Sequence, residues 1–178
     1  MTSPSPFPPR PEIKIRPFWG SDMDQVLVID ELSYSNPWGR REFAAALQSR
    51  GVSMLCAHQG TQVVGYIVLQ EWPQHFSIWN LAIHPAQRRR GIGKRLVDRA
   101  KCLAIGRGRD KLSAEVREAD LASQLFFKEQ GFRAVQLVGA NCIADPAICF
   151  EYLRLPAGEE VLKSILEGEG RVVRSEER

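Results

Sequence analysis

The period of the apolar positions changes repeatedly between residues 12 and 155, and each change marks a predicted element. Glu12 to Phe18 reads as a strand. Ser21 or Asp22 is then placed to cap a helix running to about Tyr34, and Gly39 to Ser49 reads as a second helix. Three β-prone runs follow, Val52 to His58, Val63 to Trp72 and Phe76 to Ile83, joined by linkers short enough for antiparallel hairpins. From Ile92 the apolar residues Leu96, Val97, Ala100, Leu103 and Ala104 recur at helical spacing until Gly106-Arg107-Gly108 stops the helix. Lys111 to Arg117 reads as a strand and Asp120 caps a helix to about Gln130. Phe132 to Val138 and Ile148 to Leu155 then complete the sheet. Elements mixed in this order predict an α/β layer fold.

The two ends follow neither period. Prolines at positions 4, 6, 8, 9 and 11 remove backbone donors, so residues 1–11 are expected to form a disordered arm. Residues 156–178 are expected to be a charged extension, with a helical pattern over 159–167. One domain, residues 12–155, remains between them. The chain has 178 residues, 44% of them hydrophobic, which suffices for one sizeable core. No stretch approaches a membrane span and the N-terminus lacks an apolar signal core, so a cytoplasmic location with no membrane partner is expected. Cys56, Cys102, Cys142 and Cys149 form no Cys-x-x-Cys pair, and His58, His75 and His84 are isolated in sequence. Reduced, packed thiols and no bound metal are the expectation.

The segment that carries chemistry is Leu81-Ala82-Ile83-His84-Pro85-Ala86-Gln87-Arg88-Arg89-Arg90-Gly91-Ile92-Gly93-Lys94, a strand feeding through a basic, glycine-bearing turn into a helix. Unpaired N–H groups and the positive end of the helix dipole favour an anion at a helix N-terminus. Gly91 and Gly93 are expected to let phosphate oxygens approach the backbone, and Arg88, Arg89, Arg90 and Lys94 add charge. The turn is too short for a dinucleotide fingerprint and lacks the Gly-Lys-Ser/Thr ending of a triphosphate loop. It reads as a diphosphate cradle.

Charge sharpens this reading. The net charge is +3, yet Arg88 to Lys111 holds ten basic residues against Asp98 and Asp110, which gives that segment +8 and the remainder −5. Coenzyme A, a nucleic acid, or nothing more than a solvated basic face would each satisfy the excess. The segment contains no aromatic side chain on which a base could stack, so coenzyme A ranks first and no nucleic-acid partner is expected.

Arg88-x-x-Gly91-x-Gly93 between a strand and a helix resembles the acyl-CoA signature of the GNAT superfamily of N-acetyltransferases, Arg/Gln-x-x-Gly-x-Gly/Ala. Asn36-Pro37-Trp38, Glu115-Val116-Arg117 and Phe126-Phe127-Lys128-Glu129-Gln130-Gly131-Phe132 extend the resemblance over most of residues 12 to 155. It is closest to the bacterial group that acetylates the N-terminal alanine of a ribosomal protein. The resemblance implies a mixed, mostly antiparallel sheet flanked by helices, with splayed central strands. It implies acetyl-CoA as cosubstrate, its pantetheine arm lying between the strand of Leu81 to Ile83 and that of Lys111 to Arg117. It also implies Glu115 as general base, a backbone N–H of Leu81, Ala82 or Ile83 on the thioester carbonyl, and Arg88 to Lys94, Ile92 included, around the pyrophosphate. Asp120 stands where the family usually has asparagine; it caps its helix, bonds the pantetheine, or does both.

One position departs from the pattern. Phe127 stands where a tyrosine hydroxyl usually approaches the thioester sulfur, and it has no proton to give. It is either a contact of the cofactor or ordinary core. Water, Tyr34, Tyr66 and Tyr152 are the alternative proton sources. An α-amine with a pKa of about 8 costs roughly 1 kcal/mol to neutralise at pH 7, whereas a lysine costs roughly 4.6 kcal/mol. The expected acceptor is therefore a protein or peptide N-terminus. A small-molecule amine, and a fold that binds acyl-CoA without catalysis, are the other two readings.

Overall fold

The computed structural model describes residues 12–139 and 146–154. The proline-rich residues 1–11, the extension 156–178 with its helical pattern, and much of the segment between Val138 and Ile148 lie outside the described residues. Chain order is β1 (Ile13–Pro17), α1 (Met23–Glu31), α2 (Arg40–Gln48), β2 (Val52–Gln59), β3 (Gln62–Glu71), β4 (Phe76–Ile83), α3 (Ile92–Gly106), β5 (Lys111–Arg117), α4 (Leu121–Glu129), β6 (Arg133–Val138) and β7 (Ala147–Leu153). The strands form one sheet in the order β1-β2-β3-β4-β5-β7-β6. All neighbours are antiparallel except β4 and β5. Among the described residues no helix is long and apolar enough to cross a membrane.

Both faces of the sheet are covered, which is why β3 reads as a near-continuous apolar run rather than an alternating one. On one face Ile67, Leu69, Phe76, Ile78 and Leu112 pack with Leu96, Val97 and Ala100 of α3 and with Phe127 of α4. On the other, Met54, Cys56, Tyr66 and Val68 pack with Val26 and Ile29 of α1 and Phe43 of α2.

The hairpin β3–β4 contains the feature that shapes the centre of the molecule. Val68 faces Asn80 while Leu69 faces Ile78, so Trp79 is an extra residue, a bulge that reverses the alternation of β4. Phe76 and Ile78 contribute to the first core cluster before the bulge, and Ala82 belongs to the second after it. Parallel pairing with β5 ends at the same place: Phe76, Ser77 and Ile78 face Leu112, Ser113 and Ala114, and no register continues beyond. β4 and β5 therefore splay from residue 79 onwards.

Asp22 corrects one expectation. It stands at the N-terminus of α1 but makes no side-chain cap there. Its carboxylate instead accepts from Arg16 Nη1 and Nη2, each at 2.8 Å, and from the Trp19 N–H at 2.9 Å. Cys56 and His58, two residues apart on β2, complete a buried group with Asp22 whose ligand-type atoms all lie within 4.8 Å of one another. Arg16 already holds both carboxylate oxygens, and burial pushes the Cys56 thiol up to about 12, so this is a buried carboxylate paired with a part-exposed guanidinium, with a neutral thiol beside it.

A pH dependence follows from that group. Burial, with Arg16 second, lowers the His58 pKa against the opposing pull of Asp22. Burial alone would raise the Asp22 carboxyl, but hydrogen bonds from Arg16 and Trp19 outweigh it and hold it below the usual carboxylate range. Both folded values are depressed. The His58 contribution to stability is thus complete above about 6.5 and lost as pH falls through the folded value; the Asp22 contribution is complete above about 3.9 and lost in the same sense. Urea unfolding midpoints are expected to fall from pH 7 to pH 5, less so in His58→Asn. Asp22→Ala should cost about 2 to 3 kcal/mol at pH 7, less than a fully enclosed pair because Arg16 keeps access to water.

Candidate active site

The splay exposes one edge of β4. Because Tyr66 faces Ala82 and the His84 N–H donates to Val64 O at 3.0 Å, the even-numbered residues of this half-strand bond to β3. The N–H and C=O groups of Leu81 and Ile83 are thereby turned towards β5, from which they are separated. Each carbonyl already accepts one bond. Tyr34 Oη donates to Leu81 O at 2.6 Å and Arg88 Nε donates to Ile83 O at 3.1 Å. This edge offers the gap two N–H donors and the remaining lone pair of each carbonyl.

Glu115 lies across the gap on β5, one residue past the last β4 partner Ala114. Its side chain is exposed and has no ion-pair or hydrogen-bond partner among the described residues. The two cations that could have neutralised it are engaged elsewhere: Lys111 Nζ donates to Glu151 at 2.5 Å and Arg117 Nη1 to Ser35 Oγ at 3.2 Å. Arg117 thereby ties β5 to the turn between α1 and α2.

The basic turn follows β4 directly. Arg89 adopts φ +60° and Gly91 φ +77°, and α3 starts at Ile92. The first backbone N–H to find a carbonyl is that of Arg95, which donates to Gly91 O at 3.1 Å. The N–H groups of Arg89 to Lys94 have no partner among the described residues. This is a cradle of donors at the positive end of a fifteen-residue helix.

The glycines and cations of this turn divide the work differently from expectation. A Cβ on Gly91 would meet nothing within 4 Å, so its requirement is the left-handed φ. A Cβ on Gly93 would stand 3.2 Å from the Phe126 ring and 3.8 Å from Ile83, so Gly93 is needed for the packing of α3 on α4 and β4. Arg88 bridges Ile83 O and Ser33 Oγ, Arg90 donates to Gln87, and Lys94 pairs with Asp98 at 2.7 Å. Farther along, Arg107 and Arg109 both contact Glu71 and Arg95 donates to Ile13 O. Much of the basic excess of this segment is therefore spent on the protein itself. Arg89 is the cation of the turn whose side chain has no partner among the described residues.

Asp120 is the cap that its position predicts. It accepts from the Ser123 N–H at 3.0 Å and the Ser123 hydroxyl at 2.6 Å. Phe127 is 5% exposed, with ring centroids of Phe126 and Phe132 at 5.2 and 5.1 Å. Of the alternative tyrosines, Tyr66 is fully buried against Asp30, and Tyr152 lies under the Lys101 ammonium at 4.1 Å. Tyr34 Oη bonds to a backbone carbonyl of the splayed half of β4. The sequence reading missed Ser33, Ser35 and Asp30, which come from α1 and the turn after it; a charged residue in the buried stripe with Val26 and Ile29 was the available signal.

A splayed pair of central strands thus lies beside a donor-lined turn at a helix N-terminus. The chain belongs to the acetyltransferase (GNAT) family, whose model matches residues 23–132. The [ribosomal protein bS18]-alanine N-acetyltransferase of Escherichia coli strain K12 is 22% identical over 112 residues, 63% of this chain and 75% of that protein. The crystal structure of the ribosomal-protein-S18-alanine N-acetyltransferase from Escherichia coli superposes with a TM-score of 0.73 at 20% identity, covering 83% of this chain and 97% of that one. Ard1 from Thermoplasma volcanium gives 0.74 at 21% identity over 81% and 99% of the two chains. An aminoglycoside 6'-N-acetyltransferase solved with coenzyme A gives 0.68 at 17% identity over 80% and 98%. These likenesses establish the GNAT fold.

Proposed function

We propose that this protein moves the acetyl group of acetyl-CoA to the α-amine of a protein or peptide N-terminus, by direct attack with Glu115 as general base. The observation that carries this reading is the gap itself: two β4 N–H donors on one side and a carboxylate without a partner among the described residues on the other, with the N–H cradle of Arg89 to Lys94 at its end. The cradle suits the pyrophosphate, and the N–H groups of Leu81 and Ile83 suit the thioester carbonyl, whose oxygen gains charge as the amine adds. Glu115 takes the ammonium proton directly or through water. The neutral nitrogen then attacks the carbonyl carbon, the C–S bond breaks, the nitrogen gives up its second proton to solvent, and the leaving thiolate takes one from solvent.

A single exposed carboxylate suits an α-amine, which needs about 1 kcal/mol to be neutral at pH 7, better than a lysine at roughly 4.6 kcal/mol. The Escherichia coli enzyme matched both in sequence and as a crystal structure is named for ribosomal alanine acetylation and supports this substrate class, while the aminoglycoside enzyme shares the fold with a small-molecule name. Turnover of acetyl-CoA with short peptides and with free polyamines, amino acids and aminoglycosides separates these outcomes. Peptides are expected to be preferred, and N-terminal blocking should abolish the preference.

Phe127→Tyr is expected to raise turnover with little change in acetyl-CoA affinity, because a hydroxyl there is realised only as charge develops on sulfur. Steady-state kinetics with a good peptide acceptor check it. An unchanged or slower enzyme means that a hydroxyl on this core-packed ring does not reach the sulfur.

A further inference from the structure

Trp79 is 40% exposed between two buried neighbours, on a strand at the centre of the seven-stranded sheet. An indole is the largest side chain that a core can bury, yet this one is left to the solvent. The bulge fixes which way it faces. Ile78 packs with the cluster under α3 and α4, and an indole turned to that face would be covered. Alternation instead sends Trp79 to the opposite face, and the extra residue keeps Asn80 there too, where its Nδ2 donates to buried Asp30 at 3.0 Å. Glu115 is on the same face: Leu112, Ala114 and Val116 belong to the α3 cluster, so the residues between them point away from it, and Arg117 reaches Ser35. Strand register extends the row, since Glu115 faces Cys149 of β7 and Cys149 faces Gln136 of β6. On this face α1 and α2 pack over β2, β3 and β4. Beyond β4, Glu115 and Gln136 are exposed and Cys149 is half-buried.

Resting on the proposed acetyl transfer, we infer that Trp79 is a specificity residue for the acceptor: with Cys149 it bounds a slot over Glu115 that takes a small first side chain. The α-nitrogen has to reach both the Glu115 carboxylate and the thioester carbon at the fork of β4 and β5, which places the α-carbon over this row. The first side chain then lies against Trp79 on one side or Cys149 on the other. Neighbouring strands are about 4.8 Å apart, so the backbones of β4 and β7 stand at least about 10 Å apart across Glu115, and the indole takes up much of that width. The space that remains admits a hydrogen, a methyl or a hydroxymethyl group and rejects a branched or aromatic one by overlap. Burial first, then Glu151 and Glu115, raise the Cys149 thiol, so it lines the slot as a neutral, apolar group.

The test is kcat/KM for peptides that differ only in the first residue, from glycine, alanine and serine to leucine and phenylalanine, with the wild type, Trp79→Ala and Cys149→Leu. Calorimetric titration with acetyl-CoA accompanies each protein. The wild type is expected to favour the three small residues over the two large ones by at least about tenfold. Trp79→Ala should bring that ratio below about threefold by raising kcat/KM for the leucine and phenylalanine peptides. Cys149→Leu should narrow the slot from the other side and cut activity on alanine peptides more than on glycine peptides. In both variants the dissociation constant of acetyl-CoA should change less than about twofold. A wild type without first-residue preference, or an unchanged ratio in Trp79→Ala, overturns the inference and leaves the transferase reading standing. Should Trp79→Ala not fold, an equal effect of Cys149→Leu on all peptides overturns it. A wild type that binds acetyl-CoA and acetylates no peptide overturns the reading on which the inference rests, and the inference with it.

Discussion

Glu115→Gln is expected to lower turnover at pH 7 by about 10²- to 10⁴-fold while acetyl-CoA binds as before. The amide keeps the shape of the side chain and loses its basicity. Glu115 suits the proposed role of base because its two candidate salt-bridge partners are engaged elsewhere, Lys111 on Glu151 and Arg117 on Ser35. Its position one residue beyond the last β4–β5 pair puts it where the strands part. The pH profile gives an independent reading. Solution supplies neutral amine as pH passes the acceptor's own pKa, near 8 for an α-amine, so the variant should recover part of its deficit there. Wild-type turnover in the variant at pH 7 would make Glu115 an unpaired surface carboxylate.

Gly91→Val is expected to raise the dissociation constant of acetyl-CoA at least about tenfold in a protein that remains folded. At φ +77° a β-branched residue is strained, and the turn can relieve the strain only by rotating the N–H groups of the cradle. A Cβ there meets no other part of the protein, so the damage falls on the ligand side. Gly93→Ala provides the contrast. Its Cβ would press on Phe126 at 3.2 Å, so thermal stability should fall before cofactor affinity does. Calorimetric titration and melting curves on both variants separate the two roles; unchanged affinity in Gly91→Val would remove this turn from cofactor binding.

Most of the fold was legible because periodicity carries it. β4 and β5 begin and end where their apolar runs do, and Asp120 caps α4 as its position suggests. The glycine-bearing turn was legible for the same reason, since a strand, a basic turn and an amphipathic helix follow one another without interruption. What the sequence concealed were side-chain choices between distant elements. Asp22 stands at a helix start like a cap, yet Arg16 on β1 claims its carboxylate. The ten basic residues from Arg88 to Lys111 counted as free charge until Glu71, Glu151 and Asp98 were found beside them. Gly91 and Gly93 look equivalent in the motif; a positive φ and a neighbouring phenyl ring distinguish them. The Trp79 bulge was hidden too, because a strand with one extra residue has the same composition as a regular one.

The direct measurement of the central claim is the location of isotopically labelled acetyl groups after the protein is incubated with labelled acetyl-CoA and a mixture of peptides with free and blocked N-termini, each also containing an internal lysine. Tandem mass spectrometry should place the label on the α-nitrogen of the free peptides and leave the blocked peptides unlabelled, with Glu115→Gln greatly reducing the yield at pH 7. Label on the lysine side chains of blocked peptides, at a rate matching that of the free ones, would contradict the α-amine as acceptor.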